Sequence, residues 1–353
     1  MTHTSSSPIE SAARAYGWSP ITDYPPFYMP AEIREGMIQA LARGETHYAP
    51  VPGVPALREA LARYLATLGW RLKADGNTVI TNGEQEARFL AIQALCRDGK
   101  ILALPAQAHP GVAQAAGVGQ VQTISMPGSQ DGSPEPDIAA ILTALERGAD
   151  VLYLESPHRL TGKAFEADEL AAIAAAIEAA DARVIWDQSL ASLVRPDRRY
   201  VSPGAIAALA ARCLALAALW PTLGMEEYQL GYIAGDEALI QPIQTLRQII
   251  GICTTTPAQW AAVAGAEHMA NLLQERLTEL TLTQEQGLAF LQQARVTPLD
   301  GDTVAYLAFR APWPRGASLL AELTQVGFLV ASGEPFGAPD VVRLTTTSRL
   351  LAL

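Results

Sequence analysis

Short apolar runs alternate with Ala-rich amphipathic stretches along most of the chain. Between Tyr48 and Gly251 there are seven runs of the length and composition of buried strands: TVIT, KILAL, VQTIS, VLYLE, RVIWD, LALAA and GYIAG. The stretches between them predict helices. Strands that alternate with helices in this way favour a largely parallel sheet that is covered by helices on both faces.

A second, smaller unit is predicted towards the C-terminus. A long helical pattern that starts near Pro257 is followed by strands near VAYLAF, GFLVA and VVRLTTT. At the other end, EIREGMIQALARG predicts a helix that ends at Gly44. The pattern therefore divides the chain into an N-terminal segment (1–45), a large domain (46–255), a linking helix (256–285) and a C-terminal small domain (286–353).

Composition narrows the classes of function. A chain of 353 residues with 49% apolar content is long enough for two domains. The net charge of −11, without a basic run, argues against nucleic acid, whose phosphates require Lys and Arg. No apolar run reaches the ~18 residues of a membrane helix, and the N-terminal residues lack a signal-peptide pattern. We therefore predict a cytoplasmic protein with no membrane partner. The spacing of Cys96, Cys213 and Cys253 predicts no metal site.

Two apolar runs end in residues with functional potential. In TVITNGEQEARFLAIQAL a strand, a glycine turn and a helix follow one another, so backbone N–H groups at the helix start are available to an anion. Gly83, Glu84 and Gln85 form this start, and Glu84 has Arg88 one turn later as a potential partner. Asp187 ends the run RVIWD. Ligands of such sheets bind outside the carboxyl ends of the strands, which is where these residues are predicted to lie.

The order of four segments resembles the fold-type I (class I and II) aminotransferases, which are pyridoxal phosphate (PLP) enzymes. The segments are HYAPVPGVPALREALARYL, TVITNGEQEARFLAIQAL, DVLYLESPHRLTGKAF and RVIWDQSLASL. The resemblance extends roughly from Tyr48 to Thr347. It implies an α/β fold, with an aspartate aminotransferase-like large domain of mostly parallel sheet and a small α+β domain to which the N-terminal segment contributes.

The resemblance also implies roles for single residues around the cofactor. Gly83, Glu84 and Gln85 match the phosphate-binding turn, and Asp187 matches the aspartate that pairs with the pyridine nitrogen. His109 falls near the place of the aromatic ring that stacks on the pyridine. Tyr48 matches a tyrosine that reaches the cofactor phosphate of the partner subunit, so a homodimer is expected.

The chain departs from the family pattern where the cofactor is attached. Aligning GYIAG with the family's Gly-Tyr pair places Pro221 at the Schiff-base lysine and Gln229 at the arginine that binds the phosphate. The three lysines of the chain are Lys73, Lys100 and Lys163, and all precede Asp187. Proline has no amine for an imine, so ordinary transamination is expected to be disabled. We accordingly expect no covalently bound cofactor, and at most weak non-covalent binding of PLP or pyridoxamine phosphate (PMP).

The predicted substrate end of the pocket retains more of the family pattern. Arg343 matches the arginine that binds the substrate carboxylate, and Arg159 replaces an asparagine. Two arginines that converge near Asp187 suit a dicarboxylate, or an amino or keto acid. Trp220 adjoins Pro221 and is predicted to line the pocket.

Three functions remain open on the sequence. The first is a divergent enzyme of amino acid metabolism that binds an amino or keto acid with free PLP or PMP, or without a cofactor. The second is a non-catalytic protein that binds a small acid or a partner protein. The third is an ordinary class I and II aminotransferase that binds PLP. Retention of Asp187 and Arg343 favours the first.

Overall fold

The large domain is built on a seven-stranded sheet. The structure is a computed structural model that describes residues 24–25, 27–311 and 329–346. The strands of the large sheet are Thr78–Asn82 (β1), Leu102–Pro105 (β2), Thr123–Met126 (β3), Val151–Glu155 (β4), Arg183–Asp187 (β5), Cys213–Ala218 (β6) and Leu230–Gly235 (β7). Each of the seven predicted apolar runs overlaps one of these strands.

The sheet is mostly parallel, as predicted. Its strand order is β1-β7-β6-β5-β4-β2-β3. The strands from β6 to β3 in this order run parallel, whereas β7 is antiparallel to both β6 and β1. Alternate residues of β4 enter different core clusters, with Leu152 and Leu154 in one, and Val151 and Tyr153 in the other. Helices therefore bury both faces, which explains the almost continuous apolar character of the strands.

Helices cover the sheet and connect it to the small domain. Their bounds are Ala31–Ala42 (α1), Pro55–Thr67 (α2), Gly83–Leu95 (α3), Pro110–Val118 (α4), Ile138–Glu146 (α5), Ala167–Ala179 (α6), Glu237–Ile250 (α7) and Thr256–Gln293 (α8). Local signals set several starts: Asp137 accepts a hydrogen bond from the N–H of Ala140 in α5, and α4 begins with Pro110. Helix α8 is continuous for 38 residues and packs against α1 and α2.

The small domain contains a three-stranded antiparallel sheet. Its strands are Tyr306–Arg310 (β8), Leu329–Ser332 (β9) and Val341–Thr345 (β10), with β10 in the centre. The exact domain boundaries stay a prediction, and residues 1–23 of the N-terminal segment lie outside the described part of the chain. Within the described residues, no helix has both the length and the apolar character required to span a bilayer.

The carboxyl edge of the large sheet positions the candidate site. Strands β4 and β5 pair in parallel register, so Glu155 lies directly beside Asp187. The turn from β1 into α3 reaches the same edge through Gly83, which has a φ of +73°. A Cβ at this position would lie 2.8 Å from Oε1 of Gln229, so the turn requires glycine for both its conformation and its close packing.

Candidate functional site

Asp187 is the most deeply buried carboxylate of this edge, with no exposed surface. Its Oδ2 accepts hydrogen bonds from the Tyr153 hydroxyl at 2.8 Å and from Nη2 of Arg88 at 3.0 Å. Its Oδ1 accepts one from the N–H of Ser189 at 3.0 Å. Burial by itself would raise the pKa of Asp187, but the positive charges of Arg88 and Arg159 and the hydrogen bonds lower it to about 2. Asp187 is therefore ionised near neutral pH.

Glu84 lies in the first turn of α3 and accepts hydrogen bonds on both carboxylate oxygens. Its Oε1 accepts from Nη2 of Arg88 at 2.8 Å and from Nη2 of Arg159 at 3.2 Å. Its Oε2 accepts from the Ser189 hydroxyl at 2.9 Å and from the Tyr24 hydroxyl. A negative charge here also interacts favourably with the N-terminal end of the helix dipole.

These groups form one buried network, which we name the strand-end cluster. Its members are Tyr24, Glu84, Arg88, Tyr153, Arg159, Asp187 and Ser189. The sequence analysis identified Glu84, Arg159 and Asp187 and paired Glu84 with Arg88. It missed Tyr153, although a tyrosine in a buried strand requires a partner for its hydroxyl. Tyr24 and Ser189 carried no sequence signal, because their contacts depend on the fold.

Glu155 and His158 form a second buried titratable pair beside the strand-end cluster. The Glu155 carboxylate accepts hydrogen bonds from the N–H of His109 at 2.7 Å and from the N–H of Arg159 at 3.3 Å. Burial, together with the negative charge of Asp187, raises the pKa of Glu155 to about 7. Nε2 of His158 lies 3.7 Å from Oε2 of Glu155, and burial lowers the pKa of His158. The sequence analysis did not identify Glu155.

Arg343 lies next to the backbone of Arg159. It is fully buried, with its guanidinium 4.3 Å from the ring centre of Tyr306 and 5.3 Å from that of Phe336. Its Nη1 donates to the backbone carbonyl of Arg159 at 2.8 Å. This contact connects β10 of the small domain to the loop after β4. A carboxylate-binding role for Arg159 and Arg343 stays a prediction.

A cavity of about 170 Å³ opens beside the strand-end cluster. It brings together most of the predicted cofactor-site residues, since its wall includes Gly83, Glu84, Gln85, His109, Pro221 and Gln229, along with Arg88. Nδ1 of His109 accepts a hydrogen bond from the N–H of Gly111, and the ring lies edge-on to Phe336 with centroids 6.0 Å apart. The wall thus combines two acids, Glu84 and Glu226, with a guanidinium and amides, which is a composition suited to a small polar ligand.

Five predicted site residues are not part of this cavity wall: Asp187, Arg159 and Arg343, described above, and Trp220 and Tyr48. Trp220 is 4% exposed and packs in the larger core cluster, where it adopts a left-handed backbone conformation with φ of +51°. Tyr48 is 82% exposed in the single chain. Its contact with a partner subunit, and the substrate contact of Trp220, stay predictions.

The side chains, as they are arranged, do not fit the ring and phosphate of the PLP that the resemblance implies. Asp187, the expected partner of the pyridine nitrogen, already accepts from Tyr153 and Arg88. The Glu84 carboxylate occupies the start of α3, where it would repel a phosphate dianion. Lys163, the last lysine of the sequence, pairs with Asp300 at 2.6 Å. We therefore assign no chemical step to PLP.

Comparisons with known proteins agree on the family. A family model described as aminotransferase class I and II matches residues 22–350. The aspartate/prephenate aminotransferase of Thermus thermophilus is 26% identical over 346 residues, which cover 91% of this chain and 84% of that protein.

Two solved structures show the same fold. A protein of Escherichia coli with a methionine aminotransferase function superposes with a TM-score of 0.86 at 20% identity, over 99% of this chain and 95% of that chain. The T. thermophilus aspartate aminotransferase with maleate gives a TM-score of 0.83 at 22% identity, over 98% of this chain and 92% of that chain.

These findings overturn the cofactor expectation. The sequence analysis predicted no covalently bound cofactor and at most weak binding of PLP or PMP. The matched family is PLP-dependent, its members normally hold the cofactor covalently, and no comparison shows that cofactor binding has been lost. That expectation is wrong by the family evidence. The side-chain contacts of Asp187, Glu84 and Lys163 in this structure remain in conflict with the family's cofactor.

Proposed function

The chain belongs to the class I and II aminotransferase family, whose model covers residues 22–350, and from this premise we propose that it acts on an amino acid or its 2-oxo acid. The ligand occupies the cavity of about 170 Å³ at the carboxyl edge of the large sheet. Relatives named for aspartate, prephenate and methionine support this class of substrate. Cytoplasmic location belongs to the same proposal.

The mixed charge of the cavity wall carries the proposal. Glu84 presents a carboxylate to an ammonium group, and Arg88 presents a guanidinium to a carboxylate. The carboxylate of Glu226 and the amide groups of Gln85 and Gln229 are also part of the wall. An amino acid carries both charges on one carbon, so it matches this wall better than a purely anionic or purely cationic ligand does.

Calorimetric titration tests the proposal. The panel contains aspartate and methionine, the 2-oxo acid of each, and the dicarboxylate maleate. In Gln229→Glu, an isosteric change that adds a negative charge to the wall, we expect binding of the 2-oxo acid to weaken by about tenfold. The matched control is Gln274→Glu on the exposed face of α8, which should bind as the parent does. Equal affinity in both variants, or no binding to the parent, contradicts the proposal.

A second candidate is a non-catalytic member of the family that binds the same ligands. The observation that favours it is Pro221 in the cavity wall, in a chain without a lysine after Lys163. An assay of amino-group transfer to a 2-oxo acid, with PLP supplied, separates the candidates. Binding with transfer supports the enzyme, and binding without transfer supports the second candidate.

A further inference from the structure

The Glu84 carboxylate is bound in the manner of an anionic ligand. Among the described residues, it accepts hydrogen bonds from Nη2 of Arg88, Nη2 of Arg159, the Ser189 hydroxyl and the Tyr24 hydroxyl. Two of these donors carry a positive charge. Paired cations with additional hydroxyl donors are the usual means by which proteins recognise carboxylates and phosphates.

The four donors come from separate parts of the chain, so the fold places them independently of Glu84. Arg88 lies on α3, Arg159 in the loop after β4, Ser189 after β5 and Tyr24 before α1. All four are at most 3% exposed. Other contacts also hold Arg88 and Arg159: Arg88 donates to Asp187, and the carbonyl of Arg159 accepts from Arg343.

Glu84 lines the cavity together with two of its donors, Tyr24 and Arg88, whereas Arg159 and Ser189 lie outside the wall. The Glu84 side chain is 11% exposed. Removing the carboxylate would therefore enlarge this end of the cavity and leave two guanidinium groups facing the new space. Small anions would have both access and partners there.

We propose that the donors around Glu84 form an anion-recognition site that the chain fills with its own carboxylate. Glu84 is then the residue that determines specificity, because its carboxylate already accepts from Nη2 of Arg88 and Nη2 of Arg159 and so withholds these two groups from external anions. The inference rests on the proposed function only for the position of the ligand cavity. The family's cofactor phosphate is expected at the same end of α3, so that phosphate and Glu84 compete for the same donors.

The test uses the full chain with Glu84→Ala, and the probes are acetate and inorganic phosphate. We expect Glu84→Ala to melt below the parent, and either probe to raise its Tm by about 2–4 °C at a concentration tenfold above its Kd. Sodium chloride at equal ionic strength should give a smaller rise. Glu84→Gln keeps the space filled, so neither probe should raise its Tm more than chloride does.

Glu86→Ala is the matched control, because Glu86 lies in the same turn, is also 11% exposed in its side chain and pairs with the buried Arg247 at 3.3 Å. A rise of equal size in Glu86→Ala, or a rise no larger than that with chloride in Glu84→Ala, overturns the proposal. If Glu84→Ala does not fold, Glu84→Gln decides, since a neutral side chain among these donors must lower the Tm at pH 7. A Tm equal to that of the parent overturns the proposal.

Failure of this inference is distinguishable from failure of the proposed function. Anion rescue is measured on Glu84→Ala without any amino acid, whereas the proposed function is measured by titration of the parent. If anions raise the Tm of Glu84→Ala but the parent binds no amino acid, the anion-recognition site is supported and the proposed substrate class is contradicted.

Discussion

Glu155 and Asp187 both carry a carboxyl group at the ends of adjacent strands, yet their environments shift the two pKa values in opposite directions. They are direct neighbours in the register of β4 and β5, and both are buried. The pKa of Asp187 is lowered to about 2, whereas that of Glu155 is raised to about 7. Burial is common to both, so it does not explain the difference.

The positions of the arginines explain it. Asp187 accepts directly from Arg88, and its other acceptor positions are used by Tyr153 and the N–H of Ser189. Within the described part of the chain, Glu155 accepts hydrogen bonds only from backbone N–H groups, and it faces the negative charge of Asp187. Asp187 and Glu155 are thus one strand spacing apart, yet Asp187 is ionised at neutral pH whereas Glu155 has its pKa near neutrality.

The largest expected loss of stability comes from removing the positive charge of Arg88. Arg88→Met leaves Asp187 and Glu84 buried without their shared partner, so we expect the free energy of unfolding to fall by about 3–5 kcal/mol. The pKa of Asp187 should rise, because its nearest positive charge is lost. Chemical denaturation at pH 7 measures the first effect.

The control is Arg212→Met, which removes a surface ion pair with Asp181. Such pairs contribute little, so a loss below about 1 kcal/mol is expected. Equal losses in the two variants would show that the buried charge of Asp187 does not depend on Arg88. Arg88 would then not explain why the pKa values of Asp187 and Glu155 differ.

Glu155→Gln tests the other side of the comparison through pH. The pKa of Glu155 is raised in the folded state from 4.5 to about 7, so the folded protein binds the additional proton between these values. Its contribution to stability is therefore complete below about pH 4.5 and is lost as the pH rises towards 7. The parent should lose about 2–3 kcal/mol across this window, and Glu155→Gln should not.

Urea denaturation at several pH values between 4.5 and 8 measures this difference. Asp181→Asn is a suitable control, because the pKa of Asp181 is lowered below 3.8 and its titration lies outside the window. If the unfolding free energy of Glu155→Gln falls with pH as steeply as that of the parent, Glu155 is not the group that titrates in this window. Asp187 has the opposite sign: its contribution is present above about pH 3.8 and is lost as the pH falls towards 2.

The smallest expected effect comes from Tyr153→Phe. This change removes the hydroxyl that donates to Asp187 at 2.8 Å and accepts from Nε of Arg88 at 3.1 Å, while Arg88 itself stays in place. We expect a loss of about 1–2 kcal/mol in unfolding free energy. The exposed Tyr228→Phe should be close to neutral in the same measurement. If Tyr153→Phe has the same unfolding free energy as the parent, the Tyr153 hydroxyl is not required to stabilise the Asp187 carboxylate.

The amino-acid sequence determined the elements of the fold and part of the site. Short apolar runs between helical patterns placed all seven strands of the large sheet, because these signals arise from burial of neighbouring positions along the chain. The Glu84–Arg88 pair followed from the spacing of one helical turn. Asp187 was identifiable because it ends an apolar strand in a segment that resembles the family.

Only the tertiary structure decided how these groups are charged and partnered. Arg88 and Asp187 are 99 residues apart, and Tyr24 and Glu84 are 60 apart. Glu155 became the neighbour of Asp187 through the order of strands in the sheet. Electrostatic energies depend on distance and burial in space, which sequence separation does not encode. For that reason the sequence showed that Glu84 and Asp187 reach the site, whereas the fold added Glu155 and decided which of these carboxylates stays charged.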